Sequence, residues 1–125
     1  MGVAVGQVTL LAVPYDSGHR AVRMGAGPEH LLEHGIEARF GPDVRTEVLA
    51  LGPEFPGEIR AAVSLQRQLA GRVRSAAGDG RVPVVLSGNC NASVGVCAGL
   101  TGGTDDLGVV WLDAHGDFNT PEYCV

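Results

Sequence analysis

The sequence predicts an α/β fold with a mainly parallel sheet. Short apolar runs that suit buried strands alternate with segments of helical periodicity, in the order strand, helix, strand, helix, strand, helix, strand. Polar or glycine-rich loops follow three of these strands. The chain has 125 residues and is 45% apolar, which suffices for one domain over residues 1–125.

The first half of the chain predicts two strands separated by a short helix. Residues 8–13 are an apolar run that ends at a proline, as expected for a buried parallel strand. A polar, glycine-rich loop leads to residues 28–37, where leucine and isoleucine recur at helical spacing. Residues 46–51 then resemble a second strand.

The second half predicts two helices and two strands. Residues 58–77 have the clearest helical periodicity, and the apolar residues expected near one face are Ile59, Ala62, Val63, Leu65, Leu69 and Val73. Residues 82–86 predict a third strand, and residues 91–100 predict a short helix of small residues. The apolar run that follows predicts a fourth strand over residues 109–112.

Charge and cysteine content exclude several functional classes. The net charge is -5 and the nine basic residues are scattered, whereas nucleic-acid surfaces need clustered basic residues. No apolar stretch approaches the roughly 18 residues of a membrane-spanning helix, and the amino terminus lacks a charged secretory start. Cys90, Cys97 and Cys124 are an odd number without Cys-x-x-Cys spacing. These features predict reduced thiols and a cytoplasmic protein that binds neither membrane nor nucleic acid.

Three loops are expected to meet at the carboxyl edge of the sheet, where ligands bind in parallel α/β folds. They are residues 14–18, 87–91 and 113–117. A nucleotide-binding domain is the obvious competitor. However, no G-x-G-x-x-G follows the first strand and no Walker lysine follows any strand, so the nucleotide hypothesis is weak.

The last of these loops carries three potential metal ligands. Asp113, His115 and Asp117 occupy every second position, and on a strand such side chains share one face. Two carboxylates and an imidazole suit a divalent metal of intermediate hardness, such as Mn, Fe, Co or Zn. The alternative is a polar turn in which Asp113 and Asp117 cap backbone groups.

These loops resemble motifs of the arginase or ureohydrolase family, which includes arginase, agmatinase and formimidoylglutamase. The stretch D-A-H-G-D-F-N-T-P at residues 113–121 is similar to the family's D-A-H-x-D-x-N-T-P segment. P-Y-D-S-G at residues 14–18, with the Gly-Pro and leucines that follow, resembles the family's first loop and helix. S-G-N-C-N at residues 87–91 takes the place of G-G-D-H-S. The resemblance covers nearly the whole chain and only the first half of the family's length.

The resemblance implies a three-layer arginase-like fold, truncated, with helices on both faces of the sheet. It also implies divalent metal ions, usually a pair of manganese ions, that hold a hydroxide. The family uses this hydroxide to hydrolyse a C–N bond of a small guanidino or formimino compound. By position, Asp113 would bridge the two metals, His115 would bind one and Asp117 the other. Asn119 matches the asparagine that recognises the carboxylate end of the substrate.

The chain departs from the family motif at two neighbouring positions. Cys90 stands where the family has a histidine ligand, and Asn89 replaces an acidic residue. A thiolate binds Zn better than Mn, so Zn is an alternative metal. Cys90 as an inert buried thiol is equally open.

A second departure concerns the catalytic groups. The family's D-x-D aspartate pair and its later acid/base histidine and glutamate have no counterpart in this sequence, so the catalytic residues are unidentified. In the family, strands formed later in the chain separate the third and fourth strands, which predicts exposed sheet edges here. Two hypotheses follow. One is a ureohydrolase-type hydrolase, and the other is a non-catalytic metal- or partner-binding remnant. A homo-oligomer, or completion by another chain, is expected in either case.

Overall fold

The computed structural model describes residues 6–102 and 106–117 of the chain. The strands are β1 (Val8–Val13), β2 (Tyr15–Asp16), β3 (His19–Arg20), β4 (Arg45–Val48) and β5 (Val82–Ser87). The helices are α1 (Gly27–Glu33), α2 (Glu58–Gly78) and α3 (Ala92–Thr101), with 3-10 turns at Arg23–Ala26 and Ile36–Arg39. The main sheet is parallel with the order β4-β1-β5, and β2 and β3 form a small antiparallel pair.

Strand β1 is the centre of the fold. It pairs with β4 on one side and β5 on the other, and all six of its residues are buried. Side chains alternate between the faces of a strand, so complete burial requires cover on both faces. The core cluster on the face towards α2 and α3 comprises Leu11, Val13, Tyr15, Leu49, Leu65, Leu69, Val73 and Ala92.

Two glycines let α3 pack closely against α2. A Cβ atom at Gly95 would lie 2.9 Å from the backbone oxygen of Gln66, and one at Gly99 would lie 2.7 Å from Cβ of Val73. These glycines are one helical turn apart, so they form a smooth stripe on α3. The packing fixes the start of α3, which follows residues 87–91, one of the loops predicted to line the site.

In the described ranges, no helix has the length and apolarity needed to cross a bilayer.

A buried arginine holds the amino-terminal edge of the sheet. Arg81 is 5% exposed, and its guanidinium donates to side-chain oxygens of Thr9 and Gln7 at 2.9 and 3.1 Å. It also donates to the carbonyl oxygens of Val8 and Asp43, both at 2.5 Å. A buried charge is tolerated when its donors are satisfied in this way. Arg81 thereby joins the starts of β1 and β5 to the residues that precede β4.

The first three predicted strands and the three predicted helices are confirmed, with small changes at their ends. The helix predicted over residues 28–37 is split, because Gly35 adopts a left-handed φ of +73° between α1 and the second 3-10 turn. The predicted apolar face of α2 is partly wrong. Ile59 is 81% exposed, and the buried stripe is Ala61, Leu65, Leu69, Val73 and Ala76.

The predicted fourth strand over residues 109–112 is wrong. This segment has no strand structure, and Val110 and Leu112 are 86% and 93% exposed. Strands are stabilised by pairing with a neighbour, and none of the described strands lies beside this segment in the sheet. The apolar run therefore remains on the surface.

Candidate metal centre

Two glycines bring the loops after β1 and β5 into contact at the carboxyl edge of the sheet. Gly88 is buried, and a Cβ atom there would lie 2.2 Å from the carbonyl oxygen of Tyr15 and 2.8 Å from Cα of Gly25. A Cβ atom at Gly25 would in turn lie 2.8 Å from the amide nitrogen of Asp16. Only glycine permits such close backbone approaches. The Tyr15 hydroxyl also accepts a hydrogen bond from the amide of Leu51 at 2.8 Å.

The loop after β5 presents Cys90 at this edge. The Ser87 hydroxyl donates to the carbonyl oxygen of Asn89 at 3.1 Å, which closes a tight turn. The carbonyl oxygen of Cys90 then accepts from the amide of Ser93 at 3.0 Å as α3 begins. The Cys90 thiol is free and exposed.

The segment that follows residues 109–112 bends back on itself. The Trp111 indole donates to the carbonyl oxygen of His115 at 3.0 Å, and the His115 amide donates to Oδ1 of Asp113 at 3.1 Å. Asp117 has a left-handed φ of +53°. One oxygen of Asp113 thus caps a backbone amide, as in the alternative suggested by the sequence, while Oδ2 faces Cys90.

Cys90, Asp113 and Asp117 converge into one cluster. Each offers one ligand atom, and these atoms all lie within 4.8 Å of one another. The Cys90 thiol donates to Oδ2 of Asp113 at 3.8 Å. Two such ligands around one tetrahedral zinc ion would be roughly 3.6 Å apart, given typical Zn–S and Zn–O bonds. The donor set and its spacing therefore fit a divalent metal ion.

His115 lies outside this cluster. Its side chain is 85% exposed, and its Nδ1 is 3.8 Å from Oδ1 of Asp113. The prediction that Asp113, His115 and Asp117 share one strand face is wrong, because the turn between residues 111 and 115 replaces the strand. Asn119, the predicted substrate-binding residue, lies outside the described residues.

The surroundings of Cys90 favour the neutral thiol. Partial desolvation raises the pKa of Cys90, and the negative charges of Asp117 and Asp113 raise the pKa further. The neutral thiol is then the hydrogen-bond donor to Asp113. A cysteine binds a metal ion as the thiolate, so a cation that binds to Cys90 would displace the thiol proton.

The glycine contact that joins the two loops was not predicted from the sequence. Gly25 and Gly88 each lie in a glycine-containing loop, and this is the only signal that they give in the sequence. The predicted sheet brings the loops after β1 and β5 to the same edge, but nothing in the sequence shows that Gly25 and Gly88 touch, because 63 positions separate them along the chain.

Comparison with known sequences confirms the resemblance over most of the chain. The sequence model described as the Arginase family matches residues 6–124. The arginase of Bacillus caldovelox is 29% identical over 128 aligned residues, which cover 92% of this chain and 43% of the relative. Homo sapiens arginase-1 is 40% identical over 62 residues, which cover 50% of this chain and 19% of the relative.

Solved arginase structures resemble the described fold. The Bacillus cereus arginase matches with a TM-score of 0.77 at 28% identity, over 91% of this chain and 41% of that chain. The Bacillus caldovelox arginase at pH 5.6 matches with a TM-score of 0.75 at 26% identity, over 94% and 44%. The chain thus spans about two fifths of the length of these relatives. Its parallel sheet and helices follow the arginase fold over that span, and the chain belongs to the arginase family.

Proposed function

We propose that this chain carries the metal-binding part of a ureohydrolase-type hydrolase. The reaction would be hydrolysis of a C–N bond in a small guanidino or formimino compound. The observation that carries the proposal is the convergence of Cys90, Asp113 and Asp117 at the carboxyl edge of an arginase-family sheet. Ligands bind at this edge in parallel α/β folds.

The cluster would hold a divalent ion through one sulfur and two carboxylates. His115 lies outside the cluster, with Nδ1 3.8 Å from Oδ1 of Asp113, and its side chain would have to reorient to join as a further ligand. A bridging role for Asp113 between two ions is part of the proposal. A divalent ion bound here would lower the pKa of water enough to supply a nucleophile near neutral pH. Manganese is the metal that the family implies, and the Cys90 sulfur favours zinc.

Asp113 combines two functions in this proposal. Its Oδ1 is fixed by the His115 amide, so Oδ2 is oriented towards Cys90 without a large loss of side-chain freedom.

The exposed carboxylates also give this edge a negative potential, which attracts a cationic guanidino group. Asn119 is proposed to recognise the carboxylate end of the substrate. The free thiols of Cys90 and Cys97 agree with a cytoplasmic location, which is also part of the proposal.

Calorimetric titration with zinc and manganese tests the site directly. The parent chain should bind metal weakly and stoichiometrically, because three or four protein ligands leave much of the coordination to water. The Asp113→Ala/His115→Ala double variant should lose this binding. Asp106→Ala, which removes an exposed carboxylate outside the cluster, is the matched control and should bind as the parent does. Parent-like binding by the double variant would refute the site.

Competition between zinc and manganese tests the role of Cys90. Cys90→Ser should weaken zinc binding more than manganese binding, because it removes the soft ligand. Zinc binding to the parent should also release a proton, measured from the buffer dependence of the binding enthalpy. Unchanged zinc affinity in the serine variant, together with no protection of the thiol by metal, would show that Cys90 is not a metal ligand.

The chain alone is not expected to release urea from arginine or agmatine above a metal-only control. The sequence lacks the D-x-D pair and the acid/base residues of the family. General acid/base catalysis typically contributes about a hundredfold to ten-thousandfold in rate. Robust turnover by rigorously purified chain would contradict this expectation.

A non-catalytic metal- or partner-binding role is the second proposal. It is favoured by the exposed apolar residues 109–112, which suit contact with another polypeptide. Metal binding without hydrolysis, even when the remainder of an arginase fold is supplied, would support this role over the hydrolase.

A further inference from the structure

Two histidines at the end of α1 lie against each other on the surface. His30 and His34 are both exposed, and the centres of their rings are 4.1 Å apart with an angle of 40° between the ring planes. Side chains four positions apart lie one above the other on a helix, which explains this contact. Neither residue belongs to the cluster of Cys90, Asp113 and Asp117. The two imidazoles therefore form a separate pair that a ligand from solution can reach.

A hydrogen bond to the backbone fixes the tautomer of His34. Its Nδ1 lies 2.8 Å from the carbonyl oxygen of His30. A carbonyl oxygen only accepts hydrogen bonds, so Nδ1 carries the hydrogen and the lone pair of the neutral ring is on Nε2. Histidines that bind metals usually donate from their other ring nitrogen to a carboxylate, carbonyl or water, which orients the ring. His34 thus already makes the orienting hydrogen bond of a metal ligand.

The separation of the two rings suits one metal ion between them. With metal–nitrogen bonds of about 2.0 Å, two imidazoles bound at right angles to one ion would have ring centres roughly 4.5 Å apart. The observed 4.1 Å is close to this value, and exposed side chains can adjust by the difference. Residues 30–34 read H-L-L-E-H, and histidines at this spacing on one helix face bind zinc in the H-x-x-E-H motif. Among the described residues, no third His, Cys, Asp or Glu ligand completes a group with this pair, so water would fill the remaining positions.

The charge around the pair favours a cation. Residues 28–38 contain Glu29, Glu33 and Glu37 and no basic residue other than histidine. Only Glu29 of these has a described ion pair, with Arg20. The resulting negative potential attracts metal cations. Imidazole ligands suit copper, nickel and zinc, and affinity among first-row divalent ions is highest for copper(II) and lowest for manganese.

We propose that His30 and His34 chelate one divalent late transition-metal ion, with copper(II) bound most tightly. Nε2 of His34 and a ring nitrogen of His30 are the protein ligands. The ion would link the last turn of α1 to His34, the residue that caps this helix. The site shares no residue with the Cys90 cluster. Manganese binds a pair of imidazoles most weakly, so manganese binding at the cluster is a separate event.

Titration with copper(II) tests the proposal. The background protein has Cys90, Cys97 and Cys124 changed to Ser, because thiols reduce copper(II) and because this change removes the sulfur ligand of the cluster. Glycine is present as a competitor that removes copper held by a single group. We expect one copper(II) ion per chain and nitrogen couplings from two imidazoles in the electron paramagnetic resonance spectrum. A spectrum without nitrogen couplings would overturn the proposal before any histidine is changed.

Histidine variants of this background locate the ion. His30→Ala/His34→Ala should weaken copper binding at least about tenfold, because both ligands are removed. Each single variant should lose most of this affinity, since one imidazole cannot chelate. His19→Ala is the matched control and should bind as the background does, because it removes an exposed imidazole that stacks on Phe55.

Two results of the variant series contradict the proposal. Background affinity in the double variant would place the ion elsewhere. Background affinity in either single variant would show a lone imidazole and no chelate. Both positions are exposed, so alanine should preserve the fold, and thermal unfolding verifies this. The background already lacks Cys90, so failure of the proposed cluster would leave these results unaffected.

Discussion

Strand β1 and residues 109–112 are both apolar runs, but β1 is buried and residues 109–112 are exposed. Strand β1 pairs on both sides and lies beneath helices, and Leu11 within it is fully buried. Residues 109–112 have no described strand beside them, and Leu112 is 93% exposed. An apolar run makes burial favourable, but a strand forms only where neighbours satisfy its backbone groups.

The sharpest test of this contrast removes the same side chain from both runs. Leu11→Ala should lower the free energy of unfolding by about 3–4 kcal/mol, because it leaves a cavity in the core. Leu112→Ala should change it by less than about 0.5 kcal/mol, because the side chain is already in water. Urea unfolding of both variants checks the pair. A comparable loss from Leu112→Ala would show that residues 109–112 are buried in solution.

A second pair extends the contrast from strands to loops. Gly88→Ala should destabilise the chain by about 2–3 kcal/mol, because the new methyl group would displace the backbone of Tyr15 and Gly25. Gly71→Ala is the matched control. Gly71 lies within α2 with nothing near its Cβ position, so the substitution should stabilise the chain by about 0.5–1 kcal/mol. Equal unfolding midpoints in guanidinium chloride for the two variants would contradict the close packing of the loops.

The smallest expected effect concerns the contact between the Cys90 thiol and the Asp113 carboxylate. Asp113→Asn should lower the pKa of Cys90, because it removes one of the negative charges that raise it. More thiolate is then present at pH 7.5, so alkylation by iodoacetamide should be several-fold faster. The two rates should converge once the pH exceeds the raised pKa.

This measurement requires a background in which Cys90 is the only thiol, with Cys97 and Cys124 changed to Ser. Asp79→Asn is the control, because Asp79 is an exposed carboxylate paired with Arg45 and is absent from the cluster. Identical alkylation rates for the Asp113→Asn variant and its background would show that Asp113 does not influence the thiol in solution.

Local periodicity predicted most of the fold and part of the candidate site. It identified β1, β5 and α2, because apolar spacing reports burial directly. The rule that loops meet at the carboxyl edge also anticipated that Cys90 would lie near Asp113, 23 positions away.

The remaining features depend on contacts that periodicity does not encode. The approach of Gly88 to Gly25 is a backbone contact between distant loops. The displacement of His115 follows from a turn closed by the Trp111 indole, and the strand hypothesis gave no reason to expect that hydrogen bond. The exposure of residues 109–112 depends on which strands lie beside them, and this depends on the tertiary structure.

The hydrogen bonds of Arg81 make the amino-terminal edge of the sheet respond to acid differently from the carboxyl edge. Acid strips metals from thiolate and carboxylate ligands, so a metal bound at the carboxyl edge would dissociate as the pH falls. The four hydrogen-bond acceptors of Arg81 are carbonyl, amide and hydroxyl oxygens, which do not titrate. Loss of metal in acid would therefore leave these hydrogen bonds in place. Any metal bound at the carboxyl edge could therefore be removed and restored by pH cycling without separating the strands that Arg81 joins.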